Sequence, residues 1–359
     1  MISFHLVMLL LVLGGLLTIW RLRVRHRAVP VLFTSGSILV LGSCGVLASS
    51  VGSFRTIQLL AWIAVLDFPL LLAGVAFLFW RRKPLLALGS AILVLCVCLF
   101  GIDAFLIEPR WLELTRVTIP SDKLQVPMRV AVIADLQTDD PGQYEERALG
   151  LIMAEQPDMI VLAGDYLQVT EPAEYLRAAR TLNALMQQVG LDAPLGIYAV
   201  KGNVDWQDWP GIFTGLPVTT FETTSALDLG PVTLTGLTLE DSFNTTLTVD
   251  TEQKFHIVLG HSPNFALGQV GADLLIAGHT HGGQVQIPLI GPVLTLSAVP
   301  RSWASGVTQI APGKTLVVSR GVGMERGHAP RMRFLCRPEL VILNLEPLDK
   351  QIIPAVSDD

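Results

Sequence analysis

Five places in the sequence set a side chain able to hold a metal ion at or beside a sharp turn. They are Asp135-Leu136-Gln137, Gly164-Asp165, Gly202-Asn203-Val204-Asp205, Gly260-His261 and Gly278-His279-Thr280-His281. Oxygen and imidazole donors without thiolate suit divalent ions such as Mn²⁺, Fe²⁺ or Zn²⁺. Glycines beside the donors let the backbone turn tightly enough for several side chains to meet about 2 Å from one ion. Taken singly, none is specific. Asp135 reads equally as a helix N-cap, Asn203 as a left-handed turn residue, and His279-Thr280-His281 as two residues on one face. The signal lies in all five occurring in order.

Each of the five follows a short apolar run rich in β-branched residues. The runs are Arg129–Ala134, Met159–Ala163, Gly196–Val200, His256–Leu259 and Leu274–Ala277. Helical stretches over Gln143–Gln156 and Glu171–Val189, the second with Pro172 at its start, separate the first three. Continuous apolar strands alternating with helices are strands covered on both faces. Later strands, expected at Val232–Leu237, Thr315–Ser319, Met332–Cys336 and Leu340–Leu345, have fewer helices between them. The pattern predicts a layered α/β sandwich with two sheets. In such sheets the carboxyl ends of the strands converge on one crevice, so Asp, Gln, Asn and His side chains arrive together.

The ordered motifs resemble those of the calcineurin-like metallophosphoesterase family: Asp-x-His, Gly-Asp, Gly-Asn-His-(Asp/Glu), His and Gly-His-x-His. The resemblance covers about residues 128–346. Gly278-His-Thr-His-Gly-Gly-Gln-Val285, and Ser319–Gly323 leading to Arg333-Phe-Leu-Cys-Arg-Pro-Glu339, resemble its membrane-associated branch. The resemblance implies an α/β/β/α sandwich holding two divalent ions. The first ion would take Asp135, Gln137, Asp165 and His281, and the second Asp165, Asn203, His261 and His279. It further implies a hydroxide held between the ions that attacks phosphorus in line, with Asp165, Asn203 and His279 serving catalysis.

Two positions depart from the family pattern. Gln137 stands where the first motif has His; its neutral oxygen is a harder ligand than imidazole and favours Mn²⁺. Val204 stands where the third motif has a His that helps the leaving group depart. Losing one general acid typically forfeits about 10²–10⁴ in rate. The loss is smallest for a good leaving group, which tilts the substrate toward pyrophosphates or diesters. Arg301, Arg320 and His328 are the remaining candidates for contacting a substrate phosphate. Trp206, Trp209 and Trp303 read as packing residues, and Asp205 as the residue that holds its turn.

Of the 359 residues, 51% are hydrophobic and only 16% charged, which excludes a disordered or nucleic-acid-binding chain. Residues 1–110 carry nine Lys/Arg and three acids, a balance of +6; the other 249 carry 16 and 28, a balance of −12. The apolar front holds runs at about 2–20, 28–51, 56–80 and 84–107, each close to the ~20 residues that cross a bilayer. Basic clusters at Arg21–Arg27 and Arg81–Lys83 predict cytoplasmic turns, which leaves the acidic back half extracytoplasmic, on a bacterial inner membrane. Residues 111–127 read as a linker with a short strand, 128–346 as the metallophosphoesterase domain and 347–359 as a tail. Asp67, inside the third run and followed by Pro69, is expected to satisfy backbone groups that the proline frees.

The expectation is a membrane-anchored, metal-dependent phosphohydrolase acting on phosphodiester or pyrophosphate bonds, of a small molecule or a lipid-linked substrate. The alternative is a metal-binding sensor or scaffold whose site is attenuated by the two lost histidines. A carrier with an attached regulatory domain is the weakest reading, for want of charged or broken helices.

Overall fold

The computed structural model describes residues 2–22, 36–38, 40–43, 45 and 53–348. The second apolar run, the basic residues 23–27 and the tail beyond residue 348 lie largely or wholly outside them. The chain divides into two units, one within residues 1–107 together with His328–Arg331, the other within 108–327 and 332–359.

The first unit is helical: α1 (Ile2–Leu22), α2 (Ser53–Trp62), α3 (Phe68–Phe79) and α4 (Pro84–Ile102). A π turn, Ile63–Asp67, joins α2 to α3, and another, Asp103–Ile107, continues α4. Each π turn ends two residues before a proline, Pro69 or Pro109. A proline has no N–H to donate and its ring crowds the preceding turn, and widening that turn relieves both. Asp67 is buried at the first such turn, and its Oδ2 has no hydrogen-bond partner. Among the described residues, three segments are long and apolar enough to cross a membrane: Phe4–Arg21, Phe54–Phe79 and Pro84–Arg110.

The second unit is built on two six-stranded sheets. The first contains β1 (Glu113–Ser121), β2 (Met128–Ile133), β3 (Met159–Leu162), β4 (Ile197–Val200), β5 (Val218–Phe221) and the final strand, β12 (Glu339–Pro347). Its order is β1-β12-β2-β3-β4-β5. The second contains β6 (Ser225–Asp228), β7 (Val232–Gly236), β8 (Phe255–Leu259), β9 (Leu274–Ala277), β10 (Gly306–Ala311) and β11 (Lys314–Val318), in the order β10-β11-β9-β8-β7-β6. The segment read as a linker supplies β1, which pairs in parallel with β12.

Alternation along each strand sorts the side chains into layers. On β3, Met159 and Val161 join Leu234, Ile257 and Ile276 of the second sheet in the core between the two sheets. Ile160 and Leu162 point the other way, against α5 (Gln143–Ala154) and α6 (Pro172–Gln188), where Leu149, Ile152 and Leu182 are fully buried. Each such side chain contributes about 1.5–3 kcal/mol of burial. The outer face of the second sheet is covered more thinly, by Phe265 and Ala266 of a 3₁₀ turn. The fold is therefore the expected mixed α/β sandwich, with one full helical layer and one thin one. The strand expected at Met332–Cys336 is not formed; the chain there makes a single bridge, Phe334 to Val285, because Arg333 turns inward to bond loop carbonyls.

Candidate metal centre

Strands β2, β3 and β4 run parallel in one sheet, and β8 and β9 run parallel in the other. Their carboxyl ends carry Asp135, Asp165, Asn203, His261 and His279 in loops laced together by backbone bonds. Asp135 N donates to Gly164 O at 3.0 Å, Gln137 N to Asp165 O at 2.8 Å, and Gly278 N to His261 O at 2.9 Å. Five candidate ligands lie in the left-handed region: Asp135 (φ 49°), Gln137 (33°), Asp165 (55°), His279 (71°) and His281 (49°). Each such residue costs of order 1–3 kcal/mol, and strain of this kind collects where side chains must converge. The glycines make room. A Cβ on Gly202 would lie 2.0 Å from Asp165 Oδ1, and one on Gly278 2.9 Å from Asp135 Oδ2.

Ligand atoms of Asp135, Asp165 and His261, all buried, lie within 4.8 Å of one another. His261 Nδ1 donates to Ala163 O at 2.8 Å. Its Nε2 then faces two oxygens, Asn203 Oδ1 at 2.9 Å and Asp165 Oδ2 at 3.4 Å. With Nδ1 as the donor, a proton or a metal ion at Nε2 would satisfy both oxygens. Burial alone disfavours the cation, but the Asp165 and Asp135 carboxylates outweigh it and push the imidazole up to about 9. Burial by contrast lowers His279 to about 4 and takes His281 well below the usual range. Both are therefore neutral donors at pH 7. Two further buried atoms have no hydrogen-bond partner, Gln137 Oε1 and His281 Nδ1. Lone pairs of this kind, next to carboxylates and a histidine, fit a divalent ion.

The carboxylates are held by backbone. His279 N donates to both oxygens of Asp135 at 3.0 Å, and Val204 N to Asp165 Oδ1 at 3.0 Å. Asp205 accepts from Asp165 N at 2.9 Å, Tyr166 N at 2.7 Å and Gly202 N at 2.8 Å, so it does hold the turn. Val204 brings only its backbone.

Sequence reasoning missed the groups that fix Gln137. Gln168 Oε1 accepts from Arg326 N at 2.5 Å, which can only donate. Gln168 Nε2 therefore donates to Glu325 Oε1 at 2.6 Å. Gln137 Nε2 donates to Gln168 Oε1 and Glu325 Oε2, both at 3.1 Å, which leaves its Oε1 free for an ion. Glu325 lies in the same loop as His328, three residues away. His328 itself groups with the helical unit, 3.3 Å from Arg55 Nη1. Arg333, fully buried, donates to Cys336 O, Arg320 O, Gly321 O and Gly323 O, and so pins the loop whose Gly323 N donates to Asp135 O at 2.7 Å. Its only signal was its place in the stretch that resembled the membrane-associated branch.

Of the two arginines singled out for phosphate, Arg320 is engaged by Glu113 and Glu339, each at 2.9 Å. That double ion pair gives it a structural task. Arg301 is exposed, in a 3₁₀ turn. Trp206 stacks on Tyr175 at 4.7 Å and Trp209 on Tyr166 at 5.8 Å, both as packing.

The family model described as calcineurin-like phosphoesterase matches residues 128–283 of this chain. The chain is 28% identical to the uncharacterised metallophosphoesterase YkuE of Bacillus subtilis over 67% of this chain and 87% of that protein. It is 26% identical to an uncharacterised metallophosphoesterase of Aquifex aeolicus, over 67% and 94%. With the phosphodiesterase YaeI of Escherichia coli the identity is 25%, over 66% and 90%.

Proposed function

We propose that this chain, whose residues 128–283 match the calcineurin-like phosphoesterase model, is a membrane-anchored hydrolase of phosphodiester or pyrophosphate bonds, some of them lipid-linked. The observation that carries the reading is the buried Asp135–Asp165–His261 cluster with the unpartnered Gln137 Oε1 and His281 Nδ1 beside it. Two divalent ions fit this donor set, with Asp165 shared, Asp135, Gln137 and His281 on one side and Asn203, His261 and His279 on the other. Manganese suits the oxygen-rich first set, and iron or zinc remain compatible with the imidazoles. When bound, such ions supply Lewis acidity at the phosphoryl group and a water acidified toward hydroxide.

The protein's own residues set the geometry and the limits. Backbone N–H groups of His279 and Val204 hold the two carboxylates, so neither can swing away as charge builds up on the phosphoryl oxygens. Position 204 offers no proton to a leaving oxygen. Substrates whose leaving group departs without one, an activated ester or a phosphate of a pyrophosphate, therefore suit the site best. The similarity to the phosphodiesterase YaeI supports the same class. For location, three spanning-length helices and the basic residues Arg81, Arg82 and Lys83 between two of them support an inner-membrane anchor with the domain extracytoplasmic.

The test is hydrolysis of bis(p-nitrophenyl) phosphate by detergent-purified protein with added Mn²⁺, beside Asp165→Asn. Turnover falling by at least about 10³ in the mutant is expected. Metal bound at full stoichiometry with no turnover above the mutant would instead mark the domain as a sensor or scaffold.

A further inference from the structure

Most large apolar side chains left exposed on the described residues belong to the helical unit. The second unit concentrates its own in one place. Ile287, Leu289, Ile290, Val293, Leu294 and Leu296 are between 42% and 108% exposed, within ten residues of chain. No Asp, Glu, Lys or Arg occurs from Gly282 to Pro300. The segment folds as a small hairpin, Gln286–Ile287 against Gly291–Pro292. Its tip is Leu289, at φ 69° and wholly exposed. Turns with positive φ are the province of glycine and asparagine, and a leucine there is costly in backbone and in hydration alike.

Two connections say what this strap meets. At its base, Phe334 N donates to Gln284 O and Gln286 N to Phe334 O, both at 2.9 Å. The next residues, Leu335 and Cys336, donate their N–H groups to the carboxylate of Glu108, the first at 2.9 Å. Glu108 directly follows Ile107 within the spanning-length segment Pro84–Arg110. The strap is thus two hydrogen-bonded steps from the point where that segment ends. Beside it, the Arg337 guanidinium lies 3.5 Å over the exposed Trp111 ring, the aromatic and basic pairing favoured at a lipid–water boundary. At the other end of the strap, Leu296 O accepts from His279 Nε2 at 3.2 Å, in the metal centre.

We propose that the 286–297 strap is a lipid-docking surface, whose uncharged tip enters the interfacial layer of the bilayer that anchors the chain and so brings membrane-borne phosphodiesters to the site. This rests on the membrane-anchored phosphohydrolase reading for its substrate, though not for its depth in lipid. An occupant without charge that lies at the end of a spanning segment matches a bilayer surface, and Arg301, exposed just beyond the strap, matches its phosphate layer.

The experiment uses full-length protein with Cys44, Cys96 and Cys98 replaced by serine, in vesicles of phosphatidylethanolamine and phosphatidylglycerol. A nitroxide on Leu289→Cys is compared with one on Thr245→Cys, an exposed position in a polar loop. Relative collision with oxygen and with a water-soluble nickel complex should place the Leu289 label about 5–10 Å below the headgroups and leave the Thr245 label in water. Val293→Cys supplies the same reading if the tip substitution impairs folding. Equal water exposure at both positions overturns the proposal. So does shielding from both probes that varies with protein density, which would mark a second copy as the occupant.

Turnover separates docking from chemistry. The double variant Leu289→Asp, Ile290→Asp should cleave vesicle-borne phosphatidyl-p-nitrophenol at least about tenfold more slowly, since loss of one leucine's burial is worth that much. Its turnover of soluble bis(p-nitrophenyl) phosphate should not change. Equal losses on both substrates, or none on either, overturn the proposal. A wild-type protein inert toward both would sink the hydrolase reading, and the label depths would still decide the strap.

Discussion

The metal centre combines two kinds of construction. Its proposed ligands stand at the ends of buried strands, where two sheets bring Asp135, Asp165 and His261 together and set the His279 ring 5.0 Å from that of His261. Its braces, Gln168, Gln284, Glu325 and Arg333, come from irregular loops far apart in sequence. The strand-end groups are placed by the pairing of the sheets, which would exist without them. Gln168, Gln284 and Glu325 are placed by one another and by Arg326 N, through a chain of donors and acceptors that works in one orientation, and Arg333 is placed by four loop carbonyls. The ligands should therefore govern whether chemistry occurs, and the braces how firmly the site is held.

Four substitutions test that division. The largest effect is expected from Arg333→Leu, which would strip four loop carbonyls of their donors, at a cost of about 3–5 kcal/mol; a matching drop in thermal midpoint is the readout. An unchanged midpoint would mean the loop over Asp135 stands without its clamp. Next comes Val204→His. It should speed an unactivated monoester by about 10² while hardly changing bis(p-nitrophenyl) phosphate, because only the poor leaving group needs a proton. Equal gains on both substrates would contradict the leaving-group argument.

Glu325→Gln keeps the volume but gives one of its two oxygens' places to a donor. Either Gln137 or Gln168 must then turn over, and Arg326 N holds Gln168 in place. Gln137 would present an NH₂ to the ion, and metal affinity measured calorimetrically should fall about 10–100-fold with stability retained. Unaltered affinity would show that Gln137 does not touch metal. The smallest effect belongs to Arg320→Gln. It should cost about 1–2 kcal/mol in stability through its two carboxylates and leave KM for the soluble diester unchanged. A raised KM would restore it as a phosphate contact.

The candidate ligand motifs and their placement at strand ends were legible because each is local: a strand, a glycine and a possible donor within a few residues, repeated in order. The two-sheet sandwich followed from the same runs, with strand ends misplaced by about a residue. Strands β5, β6 and β10 escaped, since their half-exposed threonines and alternating polar residues resemble loop. Met332–Cys336 misled in the opposite sense: its apolar residues suggested a strand, whereas the buried Arg333 set its shape. The Gln137–Gln168–Glu325 chain had no sequence signal at all. Its members are 31 and 188 residues from Gln137, and each alone is an ordinary polar loop residue. Among the described residues of the helical unit, three spanning-length helices match three of the four expected runs, and the expected run at 28–51 falls mostly outside those residues. Asp67 was expected to satisfy backbone groups that Pro69 frees; its Oδ2 has no hydrogen-bond partner.

The placement of β12 bears on how the domain is made. In the first sheet it lies between β1 and β2, which the ribosome produces more than two hundred residues earlier. Until residues 339–347 have emerged, the nascent sheet has a slot where an interior strand belongs, and both neighbours expose unpaired edges. Synthesis at about 5–20 residues per second keeps that slot open for ten seconds or more. Throughout that interval the chain is open to mispairing with other strands. Truncations that remove β12 should therefore not yield a smaller working enzyme, and ribosome-stalled chains lacking it should be sensitive to protease across the whole first sheet.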